Sequence, residues 1–165
     1  MRNLPIFLSL LAAWIAVEQA FACSCEFSAD VAAEVKRVSA VFIGTTVKRE
    51  DIKRELSTSI GTVEEPVWLW HFRVSKAWKG VETDQFKGFT RQGDTACGYP
   101  FEPNREYLVY AYCFTGCDDP ANMEISSCSR TRPLAEATED IEALGEPTVT
   151  LVEATVWGLI KALFY

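Results

Sequence analysis

The stretch Val67-Trp68-Leu69-Trp70-His71-Phe72-Arg73-Val74-Ser75-Lys76-Ala77-Trp78 sets the class of fold. Trp68, Trp70, Phe72 and Val74 take alternate positions, while His71, Arg73 and Ser75 take the others. Successive side chains of a strand leave opposite faces, so this period of two predicts a β-strand with one apolar side. Lys79-Gly80 ends it. Beyond it, residues 85–91 form a weaker strand, followed by the turn-like Gly93-Asp94-Thr95. Residues 106–113 are a dense apolar strand and residues 122–128 a shorter one, with Thr115-Gly116 and Asp118-Asp119-Pro120 as turn residues between them. On the other side, residues 39–48 are β-rich, with Gly44 marking a bulge or bend. Residues 49–66 are polar, charged and without clear period, and are expected to be a long exposed hairpin loop.

Helical patterns flank the strands. Ser28 is a candidate N-cap for a helix that places Val31, Val35 and Val38 on one side. Residues 133–144 predict a second helix, with Pro133 in its first turn and Gly145 as its stop. Five strands with a helix at either end predict a mainly β fold. A five-stranded Greek-key barrel of the OB type fits, and strand count leaves a small sandwich open.

The two ends differ from the middle. Arg2 precedes an almost unbroken apolar run, Glu18-Gln19 interrupts it, and Ala20-Phe21-Ala22 offers the small residues of a cleavage site. Residues 1–22 are therefore expected to be a signal peptide cut after Ala22, giving a secreted or extracytoplasmic protein. Residues 23–146 make the domain and residues 147–165 an apolar tail. At helical spacing Val152, Val156, Leu159, Ile160 and Leu163 share a face of that tail. A helix docked on the domain, or a partly ordered terminus, is expected there. Weak contact of residues 148–165 with a membrane surface is the alternative, and as a membrane span the tail is marginal.

All six cysteines follow the leader, and an even count in an exported chain argues for disulfides. The net charge of −7 is spread along the chain, so nucleic acid, which needs a cationic stripe, is not an expected partner.

Signals for catalysis are poor. His71 is the only histidine and fits an outward-facing strand position. Asp118-Asp119 before Pro120 fits turn chemistry better than an acidic pair. Trp68, Trp70 and Phe72 fit a barrel core better than a stacking platform. With no phosphate loop, HExxH motif or nucleophile elbow, no enzyme and no cofactor are expected.

Three motifs remain: Cys23-Ser24-Cys25, Cys97-Gly98-Tyr99 and Ser127-Cys128-Ser129. In this order and approximate spacing they resemble the inhibitory domain of the tissue inhibitors of metalloproteinases, an OB barrel, over about residues 23–145. Residues 128–134, Cys128-Ser129-Arg130-Thr131-Arg132-Pro133-Leu134, are similar to the single-domain members found outside animals. Residues 146–165 do not resemble the family's cysteine-rich C-terminal domain, so the single-domain form is expected. Its third early cysteine is replaced by Phe27-Ser28-Ala29, while Cys113 and Cys117 are additional.

Six cysteines leave many pairings open on sequence alone. The resemblance implies Cys23–Cys97 and Cys25–Cys128, leaving Cys113–Cys117 to bracket Phe114-Thr115-Gly116. A monomer is expected, and the partner that the resemblance implies is a zinc metalloprotease. The α-amine and carbonyl of Cys23 would chelate the protease's zinc, Ser24 would enter the pocket beside it, and Thr95, Ala96, Cys97 and Cys25 would share the contact ridge. Two other fates are open for Cys23. As a staple only, it would belong to a non-inhibitory binding or structural module of the cell surface or envelope; as a lipidated residue, its amine would be blocked.

Overall fold

The computed structural model describes residue 25 and residues 30–58, 61–92, 97–114 and 116–151. The predicted strand at residues 67–78 is the middle of β2 (Gly61–Lys79), which pairs antiparallel with β1 (Ala40–Thr58) on one side. On its other side β2 pairs antiparallel with β3 (Gln85–Arg91). β3 meets β5 (Met123–Glu124) in parallel at Phe89 and Glu124. β5 then pairs with β4 (Glu106–Cys113), and β4 returns to the first half of β1. The order β1-β2-β3-β5-β4-β1 closes a barrel-like ring of five strands, the mainly β, disulfide-stapled architecture expected from the sequence.

The ring is filled from all sides. Phe42, Trp70, Phe72, Val74, Phe86, Phe101, Tyr107, Val109 and Ile125 form its interior. Phe101 meets Phe72 edge-on at 5.2 Å and Tyr107 at 4.8 Å, the geometry that ring quadrupoles favour. Gly44 lies where this interior leaves no room. A Cβ there would stand 2.9 Å from the Phe42 ring and 3.2 Å from Phe72 Cβ, and the β1–β2 register shifts between Ile43 and Gly44.

The outer face of β1 and β4 is covered as well. Val41, Ile43, Leu108 and Tyr110 pack beneath α1 (Val31–Arg37) and α2 (Thr138–Leu144), with Val35, Val38, Leu134 and Ile141 completing the layer. Burial on both faces is why residues 40–43 of β1 and 107–111 of β4 read as continuous apolar runs rather than alternating ones. Two buried carboxylates secure the layer. Tyr112 donates its hydroxyl to Glu34, and Asp140 accepts from Arg130 at 2.7 and 2.8 Å and from Tyr110 at 3.0 Å. Burial alone would raise the Asp140 carboxyl, but these hydrogen bonds and the nearby Arg132 hold it below its ordinary value.

Several expectations are corrected. The cap of α1 is Asp30, whose side chain accepts from Ala32 N at 3.0 Å; Ser28 lies outside the described residues. Residues 49–58 and 61–66 are not a loop. They are the outer halves of β1 and β2, paired without interruption down to Thr58 and Gly61. Along β1, Ile52, Arg54 and Leu56 face inward and Asp51, Lys53 and Glu55 outward, and the opposing Val67, Glu65 and Val63 complete the rungs. Arg54 and Glu65 occupy inward slots, so the alternation is hidden in the sequence. The Arg54 guanidinium lies over the Phe89 ring at 4.5 Å and bonds Ala121 O and Asn122, which makes a charged residue serviceable there.

The strand expected at residues 122–128 is only two residues long. After Glu124 the chain keeps one bond to β3, Ile125 N to Phe89 O at 2.8 Å, and then turns away. Pro133 belongs to β6 (Arg132–Pro133), paired with β4, and a 3-10 turn over Leu134–Glu136 precedes α2. Gly145 ends α2 at φ 67°, as expected of a helix stop. The start of the apolar tail is a strand rather than a helix: β7 (Val149–Thr150) pairs with Lys76 and Ala77 of β2. Residues 152–165 lie outside the described residues.

Candidate functional edge

Cys25, Cys97 and Cys128 gather at one end of the ring. Cys25 is bonded to Cys128, 103 positions away, with Cα atoms 5.0 Å apart. Cys113 is bonded to Cys117. Cys97 is also disulfide-bonded, and Cys23, the partner implied by the family resemblance, lies outside the described residues. So do Ser24, Thr95 and Ala96.

Each motif residue that is described has a physical reason to be what it is. Cys97 adopts φ 55°, a left-handed conformation that costs a non-glycine residue about 1–2 kcal/mol. Its carbonyl holds that conformation by accepting from Ser127 N at 2.9 Å, Ser126 Oγ at 3.0 Å and Ser127 Oγ at 3.1 Å. Gly98 then bridges to Ser126. A Cβ on Gly98 would stand 1.9 Å from the Arg91 carbonyl oxygen, so only glycine lets the segment lie against the end of β3. Tyr99 N donates to the buried Thr90 Oγ1 at 2.6 Å, and its ring packs on Phe101 at 4.5 Å. Burial and then the neighbouring Tyr107 and Glu136 push the Tyr99 hydroxyl up to about 12.

Ser126 and Ser129 carry the edge onto β4. Cys128 N donates to Ser126 Oγ at 3.1 Å, and Ser129 donates from both N and Oγ to Ser126 O. Ser129 Oγ also reaches Thr131 Oγ1 at 2.7 Å, which accepts from Tyr110 N at 2.9 Å. The disulfide at Cys128 is thus anchored through hydroxyls to a central strand of the ring.

Beside this edge lies a cleft of about 470 Å³, lined by Cys25, Cys128, Ser126, Glu124, Arg91, Arg37, Tyr112 and Phe114. Its floor carries a charge-assisted pair, Arg91 Nε to Glu124 Oε1 at 2.9 Å. Phe114 stands at its rim, 76 % exposed. A smaller recess of about 210 Å³ adjoins it through Arg91, Glu124 and Phe114, and ends on Leu56 and Phe89. Ser126, Arg91 and Phe114 were not legible as site residues. The one available signal was Phe114 itself, an aromatic residue bracketed by Cys113 and Cys117 in a turn-rich segment.

The other candidates fall elsewhere. Trp70 and Phe72 are buried inside the ring. Trp68 is half-buried, with the Arg49 guanidinium 5.2 Å above it. His71 faces outward, 2.7 Å from Glu50. Asp119 caps the 3-10 turn over Pro120–Asn122 by accepting from Ala121 N, which is turn chemistry. Among the described residues no three His, Cys, Asp or Glu side chains are grouped to hold a metal ion, and no helix is long and apolar enough to cross a membrane. No protein-family model matches the chain, and no curated protein matches it.

Proposed function

We propose that the chain, cut after Ala22, is an inhibitor of zinc metalloendopeptidases, similar to the tissue inhibitors of metalloproteinases. The observation that carries the proposal is the covalent fixation of Cys25 on the ridge where Cys97 is held by Ser126 and Ser127. A segment so pinned has little freedom left to lose on binding, which favours affinity.

In a zinc protease the catalytic water occupies an open coordination position. A free α-amine has a pKa of roughly 7.7–8.0, so zinc can displace its proton near neutral pH. The amine and carbonyl of Cys23 would form a five-membered chelate on that zinc and expel the water. No peptide bond precedes the amine, so nothing is presented for cleavage at the metal. Ser24 would enter the adjoining pocket, and Thr95, Ala96 and Cys97 would seat against the rim. The zinc is the protease's, and the inhibitor needs no cofactor.

Two proteins test this: one beginning at Cys23 and one with a single alanine added before it. The first is expected to inhibit a panel of zinc endopeptidases of the HExxH class, and the second to lose at least a hundredfold in potency. Equal potency rejects chelation. Absence of inhibition in both leaves the stapled domain as a non-inhibitory module.

A further inference from the structure

Phe114 is the most exposed large hydrophobic side chain among the described residues, 76 % accessible against 52 % for Val47. Folding alone gives no reason for this, since burying such a ring is favourable and a turn residue can be polar. The chain nevertheless fixes it in water. The Cys113–Cys117 disulfide closes the loop that carries it. Its ring lies parallel to that of Tyr112, centroids 6.4 Å apart and planes 12° apart. Tyr112 is in turn tied by its hydroxyl to Glu34, which is 1 % exposed. A solvent-facing aromatic ring on a braced platform has the character of a binding anchor: large apolar area, few torsions left to freeze.

Its position says what it would bind. Phe114 and the Cys25–Cys128 disulfide line the same cleft. Two residues of chain span at most about 7 Å, so a metal ion held by residue 23 lies close to that cleft wherever the terminus points. A protein seated on residue 23 must therefore cover the ground beside Phe114. We propose that Phe114 is a second anchor for the same protease, inserting into an apolar recess on the partner's surface next to its active-site cleft. This rests on the inhibitor proposal above. Phe114 brings no hydrogen-bonding group, so the recess would be lined by aliphatic or aromatic side chains, and the residue would govern which zinc endopeptidases are bound tightly.

The test uses three proteins beginning at Cys23: the parent, Phe114→Ala and Phe114→Trp, each verified for its disulfides by peptide mapping. Inhibition constants are measured against the same zinc-endopeptidase panel. For the protease the parent inhibits best, Phe114→Ala is expected to be weaker by tenfold or more, and Phe114→Trp to stay within a few-fold of the parent. A potent parent matched by an equally potent Phe114→Ala overturns the anchor while leaving chelation standing. A parent that inhibits nothing overturns both.

Discussion

The two described disulfides are the same chemical bond put to different ends. Cys25–Cys128 joins residues 103 apart and sits in a mesh of hydroxyl and backbone hydrogen bonds running through Ser126, Ser129 and Thr131 to Tyr110. Cys113–Cys117 joins residues 4 apart, and beside it an aromatic ring stands in solvent. In the chain-entropy account a loop of about 100 residues is worth about 4.7 kcal/mol, and the same relation gives about 2 kcal/mol for the short loop. The long bridge therefore belongs to the stability of the ring, and the short one to the shape of its surface.

That contrast can be broken. Replacing Cys25 and Cys128 together by serine is expected to cost about 4–5 kcal/mol in denaturant unfolding. A loss no greater than that of the short-bridge variant would erase the distinction. Next in size is Asp140→Asn, which leaves Arg130 without its buried carboxylate and should cost about 3 kcal/mol, loosening the layer behind β4. The lowered Asp140 carboxyl also sets a pH dependence. Its contribution is complete above the ordinary Asp value of about 3.9 and is lost as pH falls through the lower folded value, so parent stability should drop in acid more than that of Asp140→Asn. Gly98→Ala forces the 97–99 segment away from the Arg91 carbonyl and should cost about 2–3 kcal/mol. Smallest is Cys113→Ser with Cys117→Ser: about 2 kcal/mol or less, with the Cys25–Cys128 edge intact by peptide mapping.

Much of the ring was legible because its strands show alternating or continuous apolar patterns. β3 and β4 begin and end where their apolar patterns do. The outer arm of β1 and β2 was not, because Arg54 and Glu65 stand where an apolar residue would have revealed the alternation, and their suitability depends on Phe89 and Arg91, distant in sequence. β5 was overestimated because Ile125 is apolar for the interior rather than for strand pairing. At the candidate edge the motifs were visible as residues, but their reasons were not. The contact that forbids a side chain on Gly98, and the three donors that hold Cys97, come from segments up to 30 positions away.

The central claim is that the free amine of Cys23 is the inhibitory group. The α-amine has a pKa more than two units below that of lysine, so it can be acetylated selectively near neutral pH without touching the fold. Inhibition constants of one preparation before and after this single modification, confirmed by mass, give the most direct test. Loss of at least a hundredfold with unchanged disulfides is the predicted result; unchanged potency of the acetylated protein would contradict it.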